Sequence, residues 1–293
     1  MTVGVEALVK RFGTTTAVDG ISFTAGRGEL FGFIGPDGAG KTTLFRFLAT
    51  LVLPDSGKGT VLGMDVVKDY RKLRNIIGYM PGRFSLYQDL TVEENLKFFA
   101  TIFGTTIEEN YHLVKEIYSQ IEPFKRRKAG QLSGGMKQKL ALSCAMIHKP
   151  EILLLDEPTT GVDAVSRGEF WEMLQRLKTS GITILVSTPY MDEAGLCDRV
   201  ALMQGGKIMT IDSPEKVVRQ FGLTLLAVRA DNMLRLLGDL RKLPGIRSVH
   251  AFGQSAHVAF PEGSTSGSEI TDYLVSLGYG SVEVSETEPG IED

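Results

Sequence analysis

Nine consecutive residues near the N-terminus have the types and spacing of a loop that holds phosphate groups. They are Gly35, Pro36, Asp37, Gly38, Ala39, Gly40, Lys41, Thr42 and Thr43. Glycine lets such a loop turn its backbone N–H groups inward around an anion, because a Cβ would obstruct the tight turn. Lys41 can then reach the β- and γ-phosphate oxygens, the Thr42 hydroxyl can ligate Mg²⁺, and Thr43 is expected at the α-phosphate. A glycine turn that only joins two elements would not need Lys-Thr at its end, so the pattern predicts a bound magnesium nucleotide.

A second candidate for chemistry is an acidic pair that follows an apolar run. Residues 152–155 read as a strand buried on both faces, and Asp156 and Glu157 come directly after it. Ligands of open α/β sheets bind at the carboxyl ends of the strands. Asp156 is therefore predicted on the Mg²⁺ side, and Glu157 is predicted to polarise an attacking water as general base. Taken alone, such a pair could be the solvated start of a loop; beside a phosphate loop it indicates nucleotide hydrolysis.

Local sequence also predicts the elements that position these groups. The apolar run Leu30–Ile34 before the loop is typical of a buried parallel strand. A helix should begin near Lys41 and add the partial positive charge of its N-terminus to the phosphate site. Ser133, Gly134 and Gly135 supply a hydroxyl and flexible backbone amides at a second predicted helix start. Ser-Gly-Gly alone is more often an ordinary helix cap, but it can also hold a second anion.

These three motifs, in this order along the chain, resemble the nucleotide-binding subunits of ATP-binding cassette (ABC) transporters, in which Ser133 to Gly135 form the signature loop. The resemblance covers about residues 1–220. It implies an α/β fold, a P-loop NTPase core whose parallel sheet is flanked by helices, with an antiparallel β layer and a helical subdomain at about 81–145. It also implies that ATP is held between the phosphate loop of one subunit and the signature loop of another, so a dimer is expected.

Further roles follow from the resemblance. Phe12 stands where the family has an aromatic residue that stacks on adenine, although it could be an ordinary core aromatic. Asp163 lies in the segment that crosses to the opposing subunit. The residues to which the resemblance assigns catalysis or Mg²⁺ binding are Lys41, Glu157, Thr42 and Asp156. The implied cofactors are ATP and Mg²⁺.

Two positions depart from the family pattern. After the predicted strand 76–81 the family has a glutamine that helps to ligate Mg²⁺, and here the residue is Gly82. Gln88, six residues further on, could substitute only in a rebuilt loop. After the predicted strand 182–188, the switch histidine that holds the γ-phosphate is replaced by Pro189, which has neither a side-chain donor nor a backbone N–H. Loss of one such group commonly lowers a rate about 10²–10⁴-fold, so we expect ATP binding with weak hydrolysis at this chain's own site.

The same departures bear on the partners. Because the signature loop acts in trans, this chain could complete an intact site on a different cassette, which favours a heterodimer or a tandem fusion over a homodimer. The sequence resembles that of bacterial multidrug-type exporters of the ABC-2 class in three segments, residues 79–87, 90–96 and 190–194. The phosphate loop, which has Asp37 where asparagine is commoner, is similar to that of the first cassette in tandem-cassette exporters. The resemblance implies an ATPase that drives a transmembrane permease. Residues 82–87 are expected to contact that permease, unless they are an ordinary surface loop.

Two alternative functions stay open. The chain could be a non-catalytic, nucleotide-gated cassette that only clamps its partner. It could instead be a soluble ABC ATPase without a transport role, although such proteins usually show a second cassette with a charged linker, or a zinc or coiled-coil insertion. The residues from Gly290 to the end resemble a point at which related chains continue, so this polypeptide could be half of a longer one.

Composition and charge argue against several other classes of protein, among them nucleic-acid-binding and membrane-spanning proteins. A net charge of −3 and a pI near 5.9 give no electrostatic support for nucleic-acid binding, and the basic run 125–128 is most simply a solvated turn. No apolar stretch approaches the ~20 residues that span a bilayer, and no signal pattern is present. We therefore expect a cytoplasmic chain held at the inner face of the membrane through a permease. Cys144 and Cys197 form neither a metal-spaced pair nor a disulfide framework, and the four histidines share no metal-binding spacing.

The pattern changes beyond Phe221. Strands are predicted at 223–229, 246–252, 256–260 and 281–285, and helices at 231–242 and 268–277. This β-α-β-β-α-β order predicts a small α+β accessory domain of the split βαβ, ferredoxin-like type over residues 222–293.

Overall fold

The computed structural model describes residues 2–220, 222–261 and 263–290. These residues form two compact units that divide between Pro214 and Glu215. The expected boundary was a few residues later, at Phe221, which lies outside the described residues, as do the last three residues of the chain.

The first unit contains two sheets and their flanking helices. Its strands are β1 (Val3–Phe12), β2 (Thr15–Ala25), β3 (Leu30–Ile34), β4 (Ser56–Val61), β5 (Met64–Asp65), β6 (Ile77–Met80), β7 (Ile152–Asp156), β8 (Thr183–Thr188), β9 (Arg199–Gln204) and β10 (Lys207–Asp212). The helices are α1 (Lys41–Leu48), α2 (Tyr70–Leu73), α3 (Val92–Ile102), α4 (Ile107–Tyr118), α5 (Gly134–Met146), α6 (Ala164–Thr179) and, across the boundary, α7 (Pro214–Arg219).

The central sheet has the strand order β10-β9-β3-β8-β7-β6. All its pairs are parallel except that of β9 and β10. Every residue of β3, β7 and β8 is buried, as the continuous apolar runs predict for strands covered on both faces. Because these three strands are parallel neighbours, their carboxyl ends meet at one edge of the sheet.

Aromatic packing fixes α1 against this sheet. The ring of Phe33 on β3 lies edge-on to Phe45 of α1, with 5.6 Å between centroids, and also contacts Phe23 of β2 at 4.9 Å. All three rings are buried. Such contacts stabilise beyond area burial by about 0.5–1.5 kcal/mol each, so the start of α1 is held rigidly at the end of β3.

An antiparallel sheet of order β2-β1-β4-β5 forms a second layer, which agrees with the expected antiparallel β layer. A Cβ on Gly40 would lie 2.3 Å from the carbonyl oxygen of Ala17 in β2. The phosphate loop and β2 therefore approach as closely as only glycine permits.

Between β6 and β7 the chain is helical, as predicted, with α3, α4 and α5. The hydroxyl of Thr91 accepts the N–H of Glu94 (3.2 Å), and the carboxylate of Glu94 accepts the N–H of Thr91 (2.8 Å), which forms a capping box at the start of α3. Asn95, fully buried, accepts from the N–H of Tyr87 (3.0 Å) and donates to its carbonyl (2.9 Å). The end of the 82–87 segment is thereby tied to α3.

The second unit follows the predicted order of elements. It contains β11 (Thr224–Ala230), α8 (Met233–Leu240), β12 (Ser248–Phe252), β13 (Ser255–Phe260), α9 (Gly267–Ser276) and β14 (Val282–Glu286). The strands pair antiparallel in the order β12-β13-β11-β14. Helix α8 begins two residues later than expected, because Asn232 is its N-cap and accepts the N–H of Arg235 (3.1 Å).

Both cysteines are buried free thiols whose pKa burial raises. In the part of the chain that the structure describes, no helix is both long and apolar enough to cross a membrane.

His148 follows α5, and its side chain is partly buried. Its Nε2 atom lies 3.2 Å from the carbonyl oxygen of Ile77, and its ring stacks on Phe103 with 3.8 Å between centroids. Its Nδ1 atom is buried and has no hydrogen-bond partner among the described residues. Burial lowers the pKa of His148.

The lowered pKa of His148 predicts a loss of stability in mild acid. Below the ordinary histidine pKa of about 6.5, the unfolded chain binds a proton that the folded chain resists, so protonation favours unfolding. The urea midpoint of His148→Gln should therefore fall less than that of the wild type between about pH 7.5 and about pH 5.5. The exposed His112 provides the control, since His112→Gln should keep the wild-type pH dependence. An unchanged pH dependence in His148→Gln would contradict this assignment.

Candidate functional site

The phosphate-loop residues lie between β3 and α1, at the carboxyl edge of the central sheet. Gly38 and Gly40 have φ values of 80° and 100°, which residues with a side chain rarely adopt. A Cβ on Gly35 would lie 2.2 Å from the carbonyl oxygen of Met203. Gly35 and Gly40 are therefore required by close approach of neighbouring backbone. Pro36, Asp37 and Gly38 are exposed at the rim, whereas Ala39 is buried.

Lys41 begins α1, as predicted, and only 3% of it is exposed. Its ammonium group donates to the carbonyl oxygens of Gly35 (2.6 Å) and Pro36 (3.1 Å). It also lies 3.2 Å from the Oε1 atom of Glu157. A buried cation needs such partners, because desolvation of an unpaired charge is costly. The loop therefore closes around Lys41 itself.

Thr42 and Asp156 lie together, as a shared metal role would require. The Thr42 hydroxyl donates to the Oδ1 atom of Asp156 at 3.2 Å, and the hydroxyl of Ser187 donates to the same oxygen at 2.7 Å. Asp156 is almost fully buried at the end of β7. Thr43 follows on α1 and is half-buried. Hydroxyl and carboxylate oxygens are the donors that Mg²⁺ prefers, so this donor set fits a magnesium nucleotide.

Glu157 adopts a left-handed backbone conformation, with φ of 49°. Its N–H donates to both the carbonyl and the hydroxyl oxygen of Ser187, each at 3.0 Å. Such a conformation costs a non-glycine residue about 1–3 kcal/mol and persists only where neighbours enforce it. Here the neighbours turn the Glu157 carboxylate back toward Lys41 and the phosphate loop.

The two departures from the family pattern lie beside these groups. A Cβ on Gly82 would lie 3.1 Å from the carbonyl oxygen of Asp156, so this position is adjacent to the acidic pair. Gln88 is placed elsewhere, where its carbonyl accepts the N–H of Gly130 (2.9 Å). Pro189 directly follows β8, whose last residue, Thr188, accepts the N–H of Gly35 (3.3 Å).

The signature-loop residues form a separate group. Ser133 is the N-cap of α5, and its hydroxyl accepts the N–H of Met136 (3.3 Å). A Cβ on Gly134 would lie 3.2 Å from the carbonyl oxygen of Gly161, and one on Gly135 would lie 2.7 Å from the hydroxyl oxygen of Ser166. The start of α5 therefore packs against the loop and helix that follow Glu157.

Asp163 is the N-cap of α6 and is exposed. Its carboxylate accepts the N–H of Ser166 at 3.0 Å, and this hydrogen bond lowers the pKa of Asp163. Phe12, at the end of β1, is 51% exposed, with the ammonium of Lys10 lying 5.4 Å from its ring centroid. It is not a core aromatic, so its ring can stack on a ligand.

Sequence reasoning missed four hydroxyl and carboxylate groups around this site. They are Thr159, Ser187, Thr188 and Glu193. Ser187 and Thr188 end the strand next to β7, so their place at the carboxyl edge of the sheet could have indicated them. Thr159 and Glu193 are 34 residues apart and carry no motif of their own.

The chain is similar in sequence and in fold to known proteins. Residues 18–160 match the protein family described as "ABC transporter". The chain is 38% identical over 297 residues to the Escherichia coli (strain K12) protein named "Probable multidrug ABC transporter ATP-binding protein YbhF"; the alignment covers 99% of this chain and 51% of that protein. The chain thus spans about half the length of the first curated relatives that it matches.

Other relatives are covered more completely. A solved structure described as "Structure of ATP binding subunit of ABC transporter" has a TM-score of 0.69 at 26% identity, and the match covers 76% of this chain and 94% of that one. The "Nod factor export ATP-binding protein I" of Rhizobium sp. (strain N33) is 36% identical over 266 residues, which cover 89% of this chain and 87% of that protein. A similarity that extends so far beyond the phosphate loop shows that this chain belongs to the ABC transporter family.

Proposed function

We propose that this chain is the ATP-binding subunit of a bacterial ABC exporter and that its own nucleotide site is degenerate. One observation carries the proposal. Lys41, Thr42, Asp156 and Glu157 converge at the carboxyl edge of the sheet, whereas Gly82 and Pro189 place no side-chain donor beside them. The groups needed to bind a nucleotide are present, and two groups that accelerate hydrolysis are absent.

Mg-ATP is the nucleotide that these residues would hold. The N–H groups of the phosphate loop and the Lys41 ammonium would bind the phosphates, with Phe12 against the adenine. Thr42 and, through water, Asp156 would hold Mg²⁺, which supplies charge neutralisation at the phosphates. A phosphate that enters the loop replaces the carbonyl and carboxylate partners of Lys41 and so frees Glu157 to act on water.

We propose that this cassette pairs with a cassette of different sequence, not with a second copy of itself. Ser133 and Gly134 are exposed at the start of α5, and Gly134 packs against Gly161, two residues before the exposed Asp163. Signature loop and crossing segment therefore form one surface. In the proposed arrangement this surface completes the site of a heterodimeric or tandem-fused cassette. A homodimer would pair two degenerate sites and have no efficient one.

A transmembrane permease is the proposed second partner, which would hold the chain at the cytoplasmic face of the membrane. An apolar cavity of about 420 Å³ opens between the end of α1, β6 and α3, lined among others by Leu51, Tyr79 and Ile102. Exposed Tyr87 and Phe98 contact each other edge-on, with 4.9 Å between ring centroids, on α3 and the 82–87 segment. Exposed apolar clusters of this kind mark interaction sites, and this one supports docking of a permease segment.

The names of the relatives include multidrug transport and Nod factor export, which supports export as the direction of transport. For the second unit we propose a ferredoxin-like accessory domain, supported by its antiparallel β12-β13-β11-β14 order.

Restoring the two missing side chains should restore turnover. In the double variant Gly82→Gln with Pro189→His, steady-state phosphate release should rise about 10²-fold or more, because each group commonly contributes about 10²–10⁴. The Cβ that Gly82→Gln adds would need a shift of only a few tenths of an ångström from Asp156. Gly82→Ala with Pro189→Ala is the matched control, since it adds the same Cβ and backbone N–H groups without the side-chain donors. Equal rates in the two double variants would contradict the proposed cause of degeneracy.

Removal of the Ser133 hydroxyl should show whether Ser133 contributes to nucleotide binding at this chain's own site or only at the site of a partner cassette. Ser133→Ala and Thr106→Ala each delete an N-cap, which lowers stability by about 1 kcal/mol. In the purified chain, both variants should bind Mg-ATP with wild-type affinity, measured by calorimetric titration. Weaker binding in Ser133→Ala alone would show that two copies of this chain sandwich the nucleotide, contrary to the proposed heterologous pair.

A further inference from the structure

A buried carboxylate beside the nucleotide site joins the loop after β7 to the end of β8. Glu193 is only 3% exposed. Its Oε2 atom accepts hydrogen bonds from the hydroxyls of Thr188 (2.5 Å) and Thr159 (3.1 Å). Thr188 ends β8, immediately before Pro189, and Thr159 lies in the loop after β7. One oxygen atom therefore holds both loops.

The carboxyl group of Glu193 is incompletely paired in its buried position. Its Oε1 atom has no hydrogen-bond partner among the described residues, and the Nη1 atom of Arg167 lies 3.9 Å away. An apolar side chain could fill this space without the desolvation penalty of a buried carboxylate. The carboxylate instead positions the two segments relative to each other, because it accepts hydrogen bonds from both hydroxyls at once and so fixes the distance between them.

The loop after β7 reaches back to the phosphate loop. Glu157 lies 3.2 Å from the Lys41 ammonium, and this contact must change when phosphates occupy the loop. The N–H of Thr160 donates to the carbonyl of Glu157 (3.3 Å), which makes residues 157–160 a tight turn. A movement of Glu157 therefore reaches Thr159, whose hydroxyl meets Glu193.

At the start of the segment beyond β8, neither Pro189 nor Tyr190 has a free backbone N–H to donate to a nucleotide. Pro189 has no N–H, and the N–H of Tyr190 is engaged by the Thr188 hydroxyl at 3.1 Å. The ring of Tyr190 stacks on the guanidinium of Arg167, which lies 4.7 Å from the ring centroid. The N–H of Gly35 donates to the carbonyl of Thr188 (3.3 Å). This bond continues the pairing of β3 with β8 and involves no residue after Thr188.

We infer that Glu193 is a positioning residue that couples the loop after β7 to the segment after β8, so that occupancy of the phosphate loop is transmitted to residues 189–193. The inference rests on the proposed nucleotide binding. In the family pattern, a histidine at the position of Pro189 links the nucleotide directly to this segment. In this chain the inference assigns that link to the buried carboxylate of Glu193. The two loops then move as one body.

Hydrogen exchange with and without Mg-ATPγS tests this coupling in the full chain. In the wild type, nucleotide should slow exchange in peptides from three regions: the phosphate loop, residues 157–163 and residues 190–194. Glu193→Ala should lose the slowing at 190–194 and keep it at the phosphate loop and at Ser187, whose bonds to Glu157 and Asp156 do not involve Glu193. Glu193→Gln should retain it, because an amide oxygen can still accept both hydroxyls.

The neighbouring carboxylate supplies the matched control. Asp192 lies in the same turn and pairs with Arg167 at 3.2 Å, so Asp192→Ala perturbs the turn without touching Thr159 or Thr188. It should respond to nucleotide as the wild type does. A persistent response at 190–194 in Glu193→Ala would overturn the inference and assign transmission to the bonds that join β8 to Gly35 and Glu157. No slowing at the phosphate loop of the wild type would instead contradict nucleotide binding itself.

Discussion

The parallel pairing of β3, β7 and β8 brings the polar groups of the nucleotide site to one edge of the sheet. In this register the phosphate loop follows β3, Asp156 ends β7, and Ser187 and Thr188 end β8. The strands are wholly buried, so a shift in register would expose apolar side chains and is strongly resisted. The site geometry is thus fixed by the core before any ligand is considered.

Within that sheet edge, Lys41 determines the shape of the loop. Its ammonium is buried against two carbonyls and Glu157, and removal of a partner from such a buried charge typically costs about 3–5 kcal/mol. Phosphate oxygens can replace these partners without leaving the cation unpaired. In the proposed function, nucleotide binding needs only the loop and Lys41, whereas rapid turnover would also need side-chain donors at the positions of Gly82 and Pro189.

The sequence predicted those helices and strands that are determined by residues close together in the chain. The starts of α1 at Lys41 and of α5 after Ser133 follow from glycine and capping chemistry within a few residues. The two compact units divide at the start of α7, whereas the sequence pattern changes only beyond Phe221, because α7 carries a helical pattern up to that point. The contact of Glu193 with Thr159 could not be predicted, since it depends on how two loops fold beside each other.

The most direct test of a binding-competent but degenerate site compares the wild-type chain with Glu157→Gln. Equilibrium binding of Mg-ATP and steady-state phosphate release are measured on the same preparations; the variant keeps an amide oxygen for Lys41 but removes the general base. We predict saturable Mg-ATP binding by both proteins, with wild-type turnover no higher than that of the variant. Robust wild-type turnover that Glu157→Gln abolishes would contradict a degenerate site and show an ordinary motor that works without the two missing side chains.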